Sequence, residues 1–363
     1  MRRRVPRLVV AVSVVGMLLS AWVARGHIVY GRPTLLSLVA GAERVALVRV
    51  VDPEALVVLE ETGDHRPVVV VELREVLKGE GKPGGALRFV SHGHGVAEYR
   101  AGEEALVFLA PLERSRELDA LQAAGLRWVS FQEHDTRYGV DDENRARLLG
   151  AVRAYVAVEA LPQPAARVAA LRAVTLDLLT SGDPRLAAGA VQDLALAREL
   201  PLVTSEDVPR LLEGVVSSSA APIGLRVAVL SELGGRRLVE ATPLWLVLLR
   251  TTPKPDRLQV IRAAGRHPSP QIDVELVGLL AGDDPELAAA AALALGDPVH
   301  AAATPSLAGA LARTEPGVRM AAIRALSAIG TPSAREVLAA AAESHTDLAT
   351  RRRAAAAVRT LDP

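Results

Sequence analysis

The chain has 363 residues, half of them hydrophobic, with 42 basic and 42 acidic side chains, 3% aromatics and no cysteine. That length allows two or three domains, and that hydrophobic share supports a substantial core. Zero net charge without a basic stripe or stacking aromatics argues against nucleic acid as a partner, and the lack of cysteine removes disulfides as a source of stability.

Met1–Arg7 (MRRRVPR) and the apolar run Leu8–Ala24 form a basic and then a hydrophobic segment. The run is slightly longer than the ~7–15 residues of a signal-peptide core and shorter than the ~20 of a membrane span. Ala24-Arg25-Gly26 places small residues at −3 and −1 for cleavage before His27. A signal peptide over residues 1–26 is therefore expected, with an uncleaved anchor over residues 8–24 as the alternative. Under either reading the basic residues stay cytoplasmic and the remainder is exported, to the periplasm or beyond. The membrane is then a partner only through an uncleaved segment.

Residues 27–44 contain a short helical piece with Leu35, Leu38 and Val39 on one side. Val45–Val51, Ala55–Leu59 and Pro67–Leu77 read as strands, rich in β-branched residues and separated by Asp52-Pro53 and Gly63-Asp64 turn signals. Gly79–Gly85 is a loop; Leu87–Ser91, Ala105–Leu109 and Arg127–His134 are further strands. All three phenylalanines fall here, whereas after residue 160 the sole aromatic is Trp245. Two different cores follow: one β with aromatics, one α with Ala, Val and Leu.

The succession AERVALVRV, VELREVLKG and RAGEEALVFLAP resembles the netrin/TIMP-like OB-fold modules of secreted bacterial proteins, chiefly through Glu75–Gly79 and Gly102–Leu109. The resemblance implies a small β-barrel over about residues 30–140. That family usually carries cysteines. TIMP-type protease inhibition relies on a cysteine N-terminus that is missing here, so inhibition stands only as a weaker alternative for the β-module.

Asp141–Leu161 is a predicted helix with acidic residues in its first turn. Pro162 and Pro164 end it, so a β-barrel module with a terminal helix is expected over 27–161 and an all-α region over 162–363. Asp183-Pro184, Asp284-Pro285 and Glu315-Pro316 each offer a carboxylate N-cap followed by proline at the first helical position, and Thr304-Pro305 and Thr331-Pro332 do the same with hydroxyls. Asp284, Glu315 and Asp347 open three segments spaced 31 and 32 residues apart. Val318, Ala322, Leu326 and Ile329 share one helical face, and Leu230 and Ile261 recur at the same spacing, each before a glycine. A fixed period in this range marks a stacked array of helical pairs, about six of them. The pattern DP-x-x-A-A-x-x-L-x-x-x-G resembles short HEAT repeats of the kind found in bilin lyases. That likeness implies an α-solenoid and no lyase activity. The expected fold class is α+β in two domains, a small β-barrel followed by a HEAT-like α-solenoid.

His92-Gly93-His94-Gly95 is the strongest candidate metal motif, because histidines at i and i+2 point to one side of a strand. His27, if it becomes the N-terminus, adds an amine and an imidazole suited to copper or zinc. The competing reading is a glycine-rich loop with two exposed imidazoles. His134-Asp135 and Asp141-Asp142-Glu143 read as a strand end and a helix cap. Ser217–Ser219 lacks a nucleophile elbow, and Gly79–Gly85 lacks the features of a phosphate loop. Arginine outnumbers lysine, which is confined to Lys78, Lys82 and Lys254, and this bias is read as genome composition. Arg236-Arg237 and Arg351–Arg353 are read as solvated faces, with acidic partners as the alternative. No catalytic set assembles and no cofactor is expected. The chain reads as an exported, non-catalytic scaffold with a protein partner on the solenoid, and a periplasmic metal protein is the alternative.

Overall fold

The computed structural model describes residues 33–59, 63, 65–91, 99–112, 116–130 and 137–361. The chain forms two compact units, Met1–Val203 and Thr204–Pro363.

The first unit begins with α1 (Leu35–Gly41), capped by Thr34 Oγ1, which accepts from Ser37 N at 3.1 Å. Five strands then close a barrel: β1 (Arg44–Val58), β2 (His65–Lys78), β3 (Ala86–Ser91), β4 (Glu104–Pro111) and β5 (Trp128–Ser130). Their order is β1-β2-β3-β5-β4, with β4 returning to β1; β3 and β5 are parallel and the other pairs antiparallel. A sixth strand, β6 (Tyr138–Val140), adds to β4. Inside the barrel Val48, Val50, Val71, Phe89 and Val107 pack together, and Phe89 meets Tyr99 edge-on at 5.7 Å.

The residues alternating with these are also buried: Val45, Leu47, Leu106 and Phe108. They face the helices that cover the barrel wall, α1 and α3 (Arg145–Ala160), which pack on β4 and β2 respectively and on each other. Lys78 ties the three elements together, donating to Val39 O at 2.7 Å and pairing with Glu159 at 2.6 Å.

The signature positions have physical roles. Gly79 has φ +80°, and a Cβ there would lie 2.5 Å from Glu43 O, so only glycine fits behind β2. Glu103 pairs with Arg137 and Glu104 with Arg145, so the acidic pair before β4 clamps the segments that follow the barrel.

Three local expectations differ from the structure. Asp52-Pro53 is a bulge within a continuous β1 and not a turn: pairing with β2 shifts between Val50, Asp52 and Ala55, and Asp52 Oδ1 accepts from Glu54 N. A short helix, α2 (Arg116–Ala123), covers a satellite core of Leu59, Val68, Leu112, Leu121 and Leu126. The helix expected from Asp141 starts at Arg145, because the Asp141 carboxylate folds a turn by accepting from Glu143 N and Asn144 N. The unit ends with the hairpin α4 (Pro164–Leu179) and α5 (Pro184–Leu196), where Asp183 caps Arg185 N and Leu186 N.

The second unit opens with α6 (Val208–Leu211), widened into a π-type turn over Leu212–Val216. Helices then alternate: α7 (Ile223–Gly235), α8 (Thr242–Thr251), α9 (Arg257–Ala264), α10 (Pro270–Ala281), α11 (Pro285–Ala294), α12 (Thr304–Ala310), α13 (Pro316–Ile329), α14 (Pro332–Ser344) and α15 (Leu348–Leu361). The odd-numbered helices from α7 pack on one another in succession, and α8, α10, α12 and α14 form a second layer. Each helix thus leans mainly on its partner and on the repeats before and after, as in a solenoid.

Small residues let the odd-numbered layer close up. A Cβ on Gly265 would sit 2.6 Å from Ala294 O, and one on Gly296 would sit 3.0 Å from Ala325 Cα. Both glycines and both alanines are 31 positions apart, so the same close contact recurs from α9–α11 to α11–α13. Asp284 and Thr331 cap their helices as the sequence implies. Glu315 instead turns its carboxylate to Arg313, and Thr304 donates to Ala301 O inside a 3₁₀ run (Pro298–Ala303) that merges into α12. Arginine within reach outcompetes the backbone for Glu315, and the preceding 3₁₀ turn already satisfies the start of α12.

Candidate interaction surface

Polar clamps hold successive repeats at fixed spacing. His300 is fully buried, its Nδ1 2.7 Å from Asp273 Oδ1 and its Nε2 2.8 Å from Gly265 O, so the turn after α11 is pinned to α10 and to the end of α9. Arg313 donates to Leu280 O and Gly282 O, and His345 Nε2 donates to Leu311 O while its Nδ1 accepts from Asp347 N. Arg319 joins Thr350 Oγ1 at 3.0 Å and Asp347 at 3.3 Å. These are one contact repeated, in which the turn closing one repeat bonds the helix ends of the repeat before it. Along this edge the carboxylates are matched by cations. Lys254 holds Asp284 below the usual carboxylate range, Arg313 brings Glu315 to about 2, and Thr350 bonds bring Asp347 to about 2.

The open faces of the two layers differ. On the even-numbered layer, Val247 and Val274 occupy the same position, four residues after the proline that opens α8 and α10, and both are exposed. On the odd-numbered layer the exposed residues of α9, α11 and α13 include Arg262, Leu293 and Arg324, at intervals of 31. Neither row is legible until the stacking register is known; the signal lies in the spacing alone.

The first unit holds a buried polar cluster that the sequence reading missed. Asp193 on α5 is 4% exposed, accepts from Thr34 Oγ1 at 2.6 Å, and lies 3.4 Å from the Tyr155 hydroxyl on α3. Burial pushes its carboxyl up to about 7 against the opposing pull of the Thr34 and Tyr155 hydrogen bonds. Burial likewise raises Tyr155 well above the ordinary phenol value, and the Asp193 charge adds to it. Nearby, Arg185 lies over the Tyr138 ring at 3.9 Å, beside a cleft of about 260 Å³ lined by Tyr138, Asn144, Asp183 and Arg185. The cluster ties α1, α3 and α5 together, and it holds no nucleophile and base pair of the kind acyl transfer requires.

His27, His92 and His94 lie outside the described residues, as does His134-Asp135. Among the described residues no three His, Cys, Asp or Glu side chains are grouped to hold a metal ion, and no helix is long and apolar enough to cross a membrane. Asp141 closes the turn before α3, Ser217–Ser219 forms a linker, and Arg236 pairs with Glu232.

The family of HEAT repeats matches residues 272–359. The match spans α10 to α15, the stretch in which the 31-residue contact recurs. No curated protein matches the chain. Among solved structures, human deoxyhypusine hydroxylase in complex with glycerol aligns at 20% identity over 61% of this chain and 92% of its own, with a TM-score of 0.30. An engineered protein aligns at 20% over 57% and 94%, TM-score 0.33. A designed armadillo repeat protein aligns at 18% over 57% and 98%, TM-score 0.31. Identity and superposition at this level assign no function. HEAT-like helical repeats themselves suggest a scaffold for protein interaction.

Proposed function

We propose that the protein is an exported, non-catalytic scaffold that binds a protein partner on the solenoid surface. The observation that carries this reading is the two-layered stack, in which equivalent side chains are presented at one-repeat intervals along both open faces. Such an array offers a long surface for another polypeptide. Export is supported by the basic and then apolar N-terminus, which places the folded units outside the cytoplasm. An OB/netrin-type identity for the barrel is supported by its strand order, its parallel β3–β5 closure and the role of Gly79.

The test is cross-linking of the full-length chain in its native host, with the partner identified by mass spectrometry and confirmed by reciprocal capture. Capture is expected to fall when an open face is altered, by Val247→Arg with Val274→Arg or by charge reversal on the opposite layer, while both units keep their helical and strand signals. Absence of any reciprocal partner would overturn the scaffold reading. So would stoichiometric copper or zinc in the purified protein that is lost on replacing His92 and His94 by alanine.

A further inference from the structure

Helices α9, α11 and α13 pack side by side, and the repeated contacts Gly265–Ala294 and Gly296–Ala325 fix their register at 31 residues. Arg262, Leu293 and Arg324 therefore occupy one row across three helices. Arg262 and Arg324 are exposed, Leu293 is 45% exposed, and Arg266 is exposed one turn beyond Arg262.

None of these three guanidinium groups has an ion-pair or hydrogen-bond partner among the described residues. Elsewhere in the unit the arginines are occupied: Arg250 by Glu275, Arg313 by Glu315, Arg319 by Asp347 and Arg351 by His345 O. The three helices of the row contain one acidic residue, Glu286, which is paired with Lys254. Asp297, at the margin of the row, uses its carboxylate to cap Val299 N. A net-neutral chain has thus left one face with unmatched positive charge around a single exposed leucine.

We infer that this row is the docking site for an acidic segment of a partner protein, an inference that rests on the scaffold reading above. Helices in contact lie ~8–10 Å apart, which puts Arg262 and Arg324 roughly 20 Å apart. An extended peptide covers that distance in about six residues. The matching segment carries carboxylates about six residues apart with an apolar residue between them to cover Leu293. Guanidinium groups suit this partner because their planar donor pairs match a carboxylate. Nucleic acid is the poorer occupant, since no aromatic ring accompanies the row for bases to stack on.

The experiment uses the full-length chain and a fluorescein-labelled peptide with glutamate pairs on either side of a central leucine, read by fluorescence anisotropy. Binding is expected to weaken with added salt and to fall about tenfold or more in the Arg262→Glu/Arg324→Glu variant. Leu293→Ser weakens it severalfold, and Arg352→Glu/Arg353→Glu on α15 leaves it unchanged. Thermal melts of each variant report folding, and the replaced side chains are exposed and unpaired. Equal binding by the Arg262/Arg324 variant, or equal binding of a glutamine version of the peptide, overturns the inference. So does loss of binding to phosphatidylcholine–phosphatidylserine vesicles in that variant without any peptide binding, which makes the row a membrane contact. If the partner found by reciprocal capture still binds the Arg262→Glu/Arg324→Glu chain, the scaffold stands and this docking site falls. If wild type captures nothing, the scaffold reading itself has failed.

Discussion

The barrel and the helical stack solve the same problem, filling an interior without cysteine, in opposite ways. The barrel uses large side chains in pairings distant in sequence: Phe108, on β4, is fully buried and meets Tyr138 of β6 edge-on. The stack uses alanine and glycine, and its clamps span about one repeat each: Gly265–Ala294, His300–Gly265, Arg319–Thr350. A lesion in the barrel therefore spreads through one closed sheet, whereas a lesion in the stack is felt first by adjacent repeats.

Phe108→Ala breaks the comparison at its strongest point. Truncating a fully buried phenylalanine costs about 3–5 kcal/mol, and loss of the barrel's near-ultraviolet signal with helical signal retained is the outcome to look for. If both vanish together, the two units do not unfold separately.

Asp193 gives the next largest effect. Its folded value near 7 lies above the ordinary 3.8, so the folded first unit holds a proton that the unfolded chain has released. Stability from this group is complete below about pH 4 and is lost as pH rises to about 7, at roughly 1.4 kcal/mol per pH unit. Denaturant titrations across that window should show the slope in wild type and its loss in Asp193→Asn. A slope of opposite sign would refute the buried-carboxyl account.

Gly265→Val is the gentler test, on the stack. The added side chain meets Ala294 at under 3 Å, and overpacking of this kind costs about 1–3 kcal/mol. Amide hydrogen exchange should quicken in α9 and α11 and leave the barrel strands unchanged.

The stack was the more legible half, because a repeat declares its own period: Asp284 with Pro285 and Thr331 with Pro332 mark helix starts from sequence alone. The barrel strands were visible as β-branched runs, yet β1 was read as two pieces. A proline in a strand looks like a stop unless a bulge absorbs it, as at Asp52-Pro53. Helix α2 and strand β6 are short and supported by tertiary contacts, so local pattern says little about them. The Asp193 cluster was hidden because a lone acid in an apolar helix gives no hint that Thr34 lies against it. The arginines were first put down to composition bias. What distinguishes Arg262 and Arg324 from their neighbours is the absence of a carboxylate beside them, which only packing reveals.

The shared register has a consequence for the length of the molecule. Excising residues 285–315 would join Asp284 to Pro316, restoring an acid–proline helix start, and would bring Ala325 into the place Ala294 occupies against Gly265. The seam's one defect would be Asp273, left without His300. A chain of this design can be shortened or extended by whole modules, and the interval at which it reads a bound ligand would survive the edit.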